Sequence, residues 1–332
     1  MLSHIYFYDN TDRCRDPYRN IAIEEWLTRH VPEDAVTLFL WQNEKTVVIG
    51  RNQNAWRECN IARLEADGGR LARRLSGGGA VYHHIGNLNF TFCAPRAFYD
   101  VARQVSVIAK AAAKFGISVQ KTGRNDIMAD GRKFSGNAFY KTATRAYHHG
   151  TILIAEDMGS LVKYLDTAGS KLTAKSVASV PARVVNLAEL SSDITVVSFA
   201  CAMREAFSEI YGLPAEIISD DAIDWETVET RRAFFDSFDW KYGVKQSFTD
   251  EHEGKFPWGF LRIYISAENG IIRKATVDSD ALAANLIASI PRALEGTPYL
   301  PADIKKSLRN LPCEDEEERG IAEDVVGMFG EE

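Results

Sequence analysis

Residues 73–93 read RRLSGGGAVYHHIGNLNFTFC, and the rest of the chain is read outward from them. Leu88, Phe90 and Phe92 alternate with Asn89 and Thr91, which predicts a strand over Asn87 to Cys93 with one apolar and one polar face. Just upstream, Gly77, Gly78 and Gly79 lead into the apolar start Ala80 to Tyr82. Lacking Cβ atoms, they let the backbone approach a ligand closely, and their N–H groups can converge on oxygen atoms. Arg73 and Arg74 add positive charge suited to a carboxylate or phosphate. The same residues also fit a flexible glycine turn beside a solvated basic pair. No Gly-Lys-Ser/Thr closes the run and no Gly-x-Gly-x-x-Gly opens a helix here, which disfavours a P-loop and a dinucleotide fingerprint.

On the N-terminal side, Asn20 to His30 carries Ile21, Ile23, Trp26 and Leu27 among Glu24, Glu25 and Arg29, the pattern of a short helix with one buried stripe. Thr37 to Trp41 and Thr46 to Ile49 flank Asn43, Glu44 and Lys45, a spacing that predicts a hairpin. Asn60 fits the N-cap of a helix over Ile61 to Ala66, stopped by Asp67, Gly68 and Gly69.

On the C-terminal side, the spacing predicts helices over Tyr99 to Phe115, ended by Gly116, and over Thr195 to Tyr211, closed by Gly212. Asp130-Gly131 predicts a tight hairpin turn, because both central residues of a type I′ turn need positive φ. Tyr147 to Ala155 reads as a further strand. Asp239 to Gly259 gathers Gly243, Gly254, Pro257 and Gly259 among charges and reads as a hinge-like linker, so the C-terminal part is expected to move. Strands over Phe260 to Ser266 and Ile271 to Val277 about Asn269-Gly270, then helices over Leu282 to Leu294 and Ile304 to Leu311, suggest a small α+β module. The expected organisation is a large domain over 1–242, a linker over 243–259 and an accessory domain over 260–332.

Composition bounds the function classes. The 332 residues allow about two or three domains, and 45% apolar with 26% charged residues is ordinary for a folded protein. Lys plus Arg number 39 against 46 Asp plus Glu, a net charge of −7 that argues against sequence-blind nucleic-acid binding but allows a local basic pocket. Cys14, Cys59, Cys93, Cys201 and Cys313 are scattered with no Cys-x-x-Cys, so neither a disulfide framework nor a zinc ribbon is indicated. With no basic start followed by an apolar run, and no apolar stretch approaching about 18 residues, the expectation is a cytoplasmic protein that does not cross a membrane.

Three further constellations bear on chemistry. Gly123-Arg124-Asn125-Asp126-Ile127 and Arg132-Lys133-Phe134-Ser135-Gly136-Asn137-Ala138 flank the Asp130-Gly131 turn, which holds Asp126 and Lys133 on rigid strands. The pair joins a metal-seeking carboxylate to a cation; its spacing also fits a surface ion pair on a hairpin edge. The small Ser135, Gly136 and Ala138 stand where a strand usually carries bulk. His148-His149-Gly150-Thr151 enters an apolar strand, where adjacent histidines face opposite sides and do not chelate together, and at least one of them is expected to be structural. Finally KLTAKSVASVPARVVNL, residues 171–187, with Lys171, Lys175 and Arg183, suits a mobile basic loop able to close over an anion. No His-Glu-x-x-His and no Gly-x-Ser-x-Gly supports a hydrolase.

Taken together, WQNEKTVVIGRNQNAWRECN (41–60), RRLSGGGAVYHHIGNLNFTF (73–92), GRNDI (123–127), RKFSGNA (132–138), HHGTILI (148–154) and ARVVNL (182–187) resemble the lipoate-protein ligase A family across almost the whole chain. The resemblance implies an α+β fold of the biotin- and lipoate-ligase type, with mixed β-sheets flanked by helices and a small α+β C-terminal domain. It implies a two-step reaction in which lipoate and Mg-ATP give lipoyl-adenylate and pyrophosphate. A lysine of a lipoyl domain, in the E2 subunits of 2-oxoacid dehydrogenases or in glycine cleavage H protein, then accepts the lipoyl group. By the same resemblance Lys133 is the catalytic residue and Asp126 serves Mg2+. The lipoate and adenylate pocket comprises Trp41, Arg74, Ser76, Gly77, Gly78, Gly79, Val81, His83, Asn87, Asn125, Ser135, Gly136, Ala138, His149 and Thr151, with Lys175 and Arg183 on a covering loop. Trp41, Val48 and Val81 suit the apolar lipoyl tail, worth about 3 kcal/mol for four methylenes. The sequence departs from the family at His83-His84, where His-Asp is usual. Two other readings fit many of the same residues: a transferase using preformed acyl-adenylate or an acyl carrier, and a non-catalytic lipoate-binding module.

Overall fold

A computed structural model of the chain describes residues 1–122, 125–165, 184–242 and 250–329. The strands are β1 (His4–Asn10), β2 (Ala35–Trp41), β3 (Thr46–Ile49), β4 (Arg70–Arg73), β5 (Val81–His83), β6 (Asn87–Pro95) and β7 (Val119–Thr122). They continue with β8 (Asp126–Ala129), β9 (Arg132–Lys141), β10 (Arg145–Leu153), β11 (Ala215–Ile217), β12 (Asp250–Phe256), β13 (Gly259–Glu268) and β14 (Ile271–Ser279). The fold is α+β, and the chain divides into two compact units. One holds residues 1–48, 56–73 and 81–241; the other holds 49–55, 74–80 and 242–332.

The first unit is built on a mixed eight-stranded sheet, ordered β11-β1-β2-β6-β10-β9-β8-β7. Leu88, Phe90 and Phe92 of β6 join Val107, Ile108, Phe199, Met203 and Phe207 of helices Val101–Ala113 and Val196–Tyr211 in one apolar layer. The opposite, polar face of β6 is buried as well, with Asn87, Asn89 and Thr91 at most 1% exposed. Helix Pro17–His30 covers it. Asp16 caps that helix and Pro17 opens it, so it begins three residues before the apolar stripe that announced it. The stripe also misplaces two side chains. Glu24 and Glu25 are buried and Trp26 is only half-buried, its ring stacked on His30, because the helix is covered from two sides. Thr91 of the sheet donates to Glu24, while Arg231 of helix Trp225–Asp236 donates to Glu25.

The expected β2–β3 hairpin does not form. β2, buried on both faces, pairs in parallel with β1 and antiparallel with β6. The chain then turns through Lys45, at φ 41°, and β3 enters a separate three-stranded sheet ordered β4-β3-β5. Local alternation cannot tell a hairpin from two strands that part into different sheets. The Asp130-Gly131 turn does form, with φ of 50° and 69°. Asn60 caps its helix as read; Thr195, read as the first residue of its helix, is the N-cap, and Gly212 ends that helix at φ 67°.

The second unit has a three-stranded antiparallel sheet, β12-β13-β14, under helices Ala284–Leu294, Pro301–Leu308 and Glu316–Gly327. Its core is formed by Leu261, Ile263, Ile265, Ile287, Ile290, Leu308 and Val325. Asp250 to Phe256, read above as part of a linker, is a strand. Its charged alternation marks an edge strand open on one side, which a composition-based reading takes for an exposed loop. Within this unit the Ser279 N–H donates to the Asn52 carbonyl at 3.1 Å and the Asn54 N–H to Asp278 Oδ1 at 3.0 Å, which ties the short segment 49–55 to the end of β14.

Candidate active site

Strand register gathers most of the predicted residues of the first unit on one face of its large sheet. Directly opposed residues of antiparallel strands share a face. One row runs Trp41, Asn89, Thr151, and the next runs Phe39, Thr91, His149, Ala138. Asn87 is two residues from Asn89 and lies on the same side. His148 takes the other face, wholly buried, with Nε2 2.7 Å from Asn137 Oδ1 and Nδ1 3.1 Å from Gln104 Oε1. Both its ring nitrogens thus have buried side-chain partners, as a structural histidine does.

Lys133 reaches the site face through a bulge. Ile127 pairs with Ser135 and Met128 with Lys133, which leaves Phe134 as an extra residue on β9. In a regular strand, residues 133 and 136 face opposite ways. Here a Cβ on Gly136 would lie 3.1 Å from the Lys133 ammonium and 3.8 Å from Thr151 Oγ1, so the lysine lies across the glycine on the Thr151 side. Lys133 Nζ is 2.7 Å from Asp126 Oδ1, both side chains about a third exposed. A pair this exposed contributes no more than about 1 kcal/mol to stability and is open to a ligand. The Val185 N–H donates to the Lys133 carbonyl at 2.9 Å, which joins the ARVVNL segment to the lysine's strand. Lys175, Arg183, Gly123 and Arg124 lie outside the described residues.

Along this face, under helix Pro17–His30, runs a buried polar chain. Trp41 Nε1 donates to Thr91 Oγ1 at 3.0 Å, Thr91 donates to Glu24 Oε1 at 2.7 Å, and the same oxygen lies 2.7 Å from His149 Nδ1. Glu24 escapes sequence reading because its partners lie 67 and 125 residues away. Asn87 Nδ2 donates to Asn89 Oδ1 at 2.9 Å, while Asn87 Oδ1 and Asn89 Nδ2, both buried, have no hydrogen-bond partner among the described residues. Such atoms normally find a partner, so these two suit polar atoms of a bound ligand. His83 stands edge-on to Trp41 with ring centroids 6.0 Å apart, and Val81 pairs with Val48 at the neighbouring sheet. Ser135 is wholly buried. Asn125 is committed to the backbone of β9, its Nδ2 donating to the Asn137 carbonyl at 3.1 Å.

Glu156, just past β10, was not anticipated. Its carboxylate accepts the N–H groups of Asp157 at 2.9 Å and His84 at 3.2 Å, and burial pushes its pKa up to about 7.

The remaining predicted residues belong to the second unit. Arg74, read as an anion ligand, is buried and turned onto its own loop: Nε donates to Ser76 Oγ at 3.1 Å, and Nη2 donates to the carbonyls of Gly77 and Gly79, each at 2.8 Å. The three glycines have different reasons to be glycine. A Cβ on Gly77 would run into the Ala281 carbonyl, and Gly78 has φ 91° and donates its N–H to that carbonyl at 3.1 Å. Gly79 has nothing within 4 Å of its absent Cβ. Arg73, in the first unit, donates to the carbonyls of Trp240 and Lys241, each at 2.8 Å, and so fastens helix Phe238–Tyr242.

A family model described as the lipoyl protein ligase A/B catalytic domain matches residues 16–208, and one described as the bacterial lipoate protein ligase C-terminus matches residues 245–329. A lipoate-protein ligase A of Psychrobacter cryohalolentis is 40% identical over 304 residues, covering 89% of this chain and 90% of that protein. The crystal structure of P. falciparum LipL1 in complex with lipoate covers 98% of this chain and 99% of that one at 28% identity, with a TM-score of 0.84. A lipoate-protein ligase A bound with ATP covers 74% of this chain and 100% of that one, with a TM-score of 0.60; at 20% identity this likeness is one of fold alone.

Proposed function

The chain belongs to the lipoyl protein ligase A/B catalytic-domain family, and from that membership we propose that it is an ATP-dependent lipoate-protein ligase. In the proposed first step a lipoate carboxylate oxygen attacks the α-phosphorus of ATP. The bond to pyrophosphate breaks and lipoyl-adenylate forms. In the second step the ε-amine of an acceptor lysine attacks the acyl carbon, AMP leaves with the bonding electron pair, and the amine loses a proton. Adenylation is needed because a free carboxylate has no acceptable leaving group, whereas the mixed anhydride has AMP.

The observation that carries this reading is Lys133, re-aimed by a bulge onto the face that holds Trp41, His149 and Thr151, and still open to solvent. Its ammonium can bridge the lipoyl carboxyl and an α-phosphate oxygen, neutralising charge that builds as the two approach. Trp41, Val48 and Val81 offer apolar surface to the lipoyl tail, and the orphaned amide atoms of Asn87 and Asn89 offer polar partners. The donor set suits magnesium that arrives on ATP. Asp126 supplies one carboxylate, no group of three or more acidic, histidine or cysteine side chains that could hold a metal occurs among the described residues, and magnesium is commonly held by one or two carboxylates plus substrate phosphates. When bound, the ion would offset phosphate charge. The proposed partners are lipoyl domains of E2 subunits and glycine cleavage H protein. No helix among the described residues is long and apolar enough to cross a membrane, which fits the cytoplasmic location we propose.

A cysteine-based transfer is disfavoured. Cys93, near the end of β6 downstream of the three glycines, is wholly buried, accepts a hydrogen bond from Thr28, and has its thiol pKa pushed up by burial, far from a nucleophilic thiolate. The test is lipoate-dependent exchange of pyrophosphate into ATP. Exchange is expected in the full chain and is expected to fall by roughly 10³-fold or more in Lys133→Ala. Transfer from supplied lipoyl-adenylate without any exchange would make the protein a transferase, and normal acceptor modification by Lys133→Ala would remove that residue from the mechanism.

A further inference from the structure

His83 and His149 are held by buried partners of opposite hydrogen-bonding character. His149 Nδ1 faces a carboxylate oxygen of Glu24, which only accepts, so that nitrogen carries a proton. His83 Nδ1 faces the side-chain amide of Asn43 at 3.1 Å, and an amide can present either an oxygen or an NH₂ group.

The neighbours decide which. Asn20 Nδ2 lies 2.8 Å from the Gln42 carbonyl and 3.2 Å from the Cys14 carbonyl. Backbone carbonyls only accept, so the Asn20 NH₂ must point at them. The same NH₂ is 3.0 Å from Asn43 Oδ1, while Asn20 Oδ1 accepts from Asn10 Nδ2 at 2.8 Å. Turning Asn43 over would set two NH₂ groups against each other. Its oxygen therefore faces Asn20 and its NH₂ faces His83, whose Nδ1 must accept. Asn20 and Asn43 are fully buried, and Asn10 and His83 are only 3% exposed, so water does not relax these choices.

We propose that Asn43, oriented by Asn20, is a positioning residue that fixes His83 as the tautomer protonated on Nε2, so that the ring offers an oxygen of the bound acyl or adenylate group a donor and not an acceptor. The link to that ligand rests on the ligase reading; the tautomer does not. A donor at this position discriminates strongly, because a ring with the opposite tautomer sets a lone pair against the ligand oxygen.

The test is two-bond ¹H–¹⁵N correlation of the imidazole rings in the full-length protein with labelled histidine, the His83 ring being assigned by its absence in His83→Gln. In the unmodified protein the expected pattern has Nε2 protonated and Nδ1 bare. Asn43→Asp puts an acceptor opposite the ring and should move the proton to Nδ1, raising the KM for lipoate in pyrophosphate exchange by roughly 10-fold or more. Asn43→Ala should leave the two tautomers mixed, with a smaller rise. A wild-type ring protonated on Nδ1 overturns the proposal without any variant having to fold. A tautomer that flips in Asn43→Asp with unchanged lipoate KM overturns the substrate role of His83. The expected tautomer in a protein that shows no lipoate-dependent exchange overturns the ligase reading and leaves the tautomer argument standing.

Discussion

The broad face of the eight-stranded sheet and the glycine loop are the two places where sequence and family assign function, and they are built on different principles. On the sheet the proposed working groups are side chains. Register sets them in rows, and a buried polar partner, Glu24, holds the His149 ring, as Asn43 holds His83 on β5 of the neighbouring small sheet. In the loop the proposed working group is the backbone, and its shape is set from within by the Arg74 guanidinium holding the carbonyls of Gly77 and Gly79. Changes on the sheet should therefore alter chemistry at nearly constant stability. Changes in the loop should alter stability first, except where the loop is open.

The largest separation of the two is expected between Lys133→Ala and Gly77→Ala. The lysine variant should lose exchange activity as stated above while its denaturation midpoint shifts by no more than about 1 kcal/mol, since its ion pair is exposed. Gly77→Ala drives a Cβ into the Ala281 carbonyl and should lower the stability of the second unit by about 2–3 kcal/mol in urea denaturation. Equal stability losses in the two variants would abolish the distinction.

Next in size is a pH effect on the sheet side. Glu156 has its pKa raised from 4.5 to about 7 by burial, with Asp157 and His84 beside it. The folded state therefore holds this proton more tightly than the unfolded chain does. Its contribution to stability is fully present below about pH 4.5 and is lost as pH rises through about 7, a change of about 3 kcal/mol. Glu156→Gln should flatten the stability profile across that window, and parallel profiles for the two proteins would sink the assignment.

A smaller effect is expected of Gly79→Ala. With nothing within 4 Å of the added methyl, stability should stay within about 0.5 kcal/mol while the KM for ATP rises several-fold. A stability loss matching that of Gly77→Ala would mean that the loop is closed there too. The smallest is His84→Asp, which restores the usual family residue and should not lower lipoylation; a large loss would give His84 a role of its own.

Much of this was legible in the chain because it is local. The Asp130-Gly131 turn, the Asn60 cap, the Gly212 stop and the opposite faces taken by His148 and His149 each depend on a few neighbouring residues. What was missed depends on long-range pairing. Glu24 looks like the wet side of a helix until a sheet closes over it. β2 and β3 look like a hairpin until β6 takes the place beside β2. Arg74 looks like an anion ligand because its charge is visible in sequence, whereas the carbonyls that occupy it become available only once the loop has folded.

Phe134 makes one more point. A strand counts in twos, and the bulge absorbs the supernumerary residue, so Lys133 and Gly136 share a side although they stand three positions apart. Deleting Phe134 would straighten the strand and leave both on that side, two positions apart, while taking a wholly buried ring out of the apolar layer. The bulge thus lets one short segment give an aromatic ring to the interior without giving up the side on which its lysine lies.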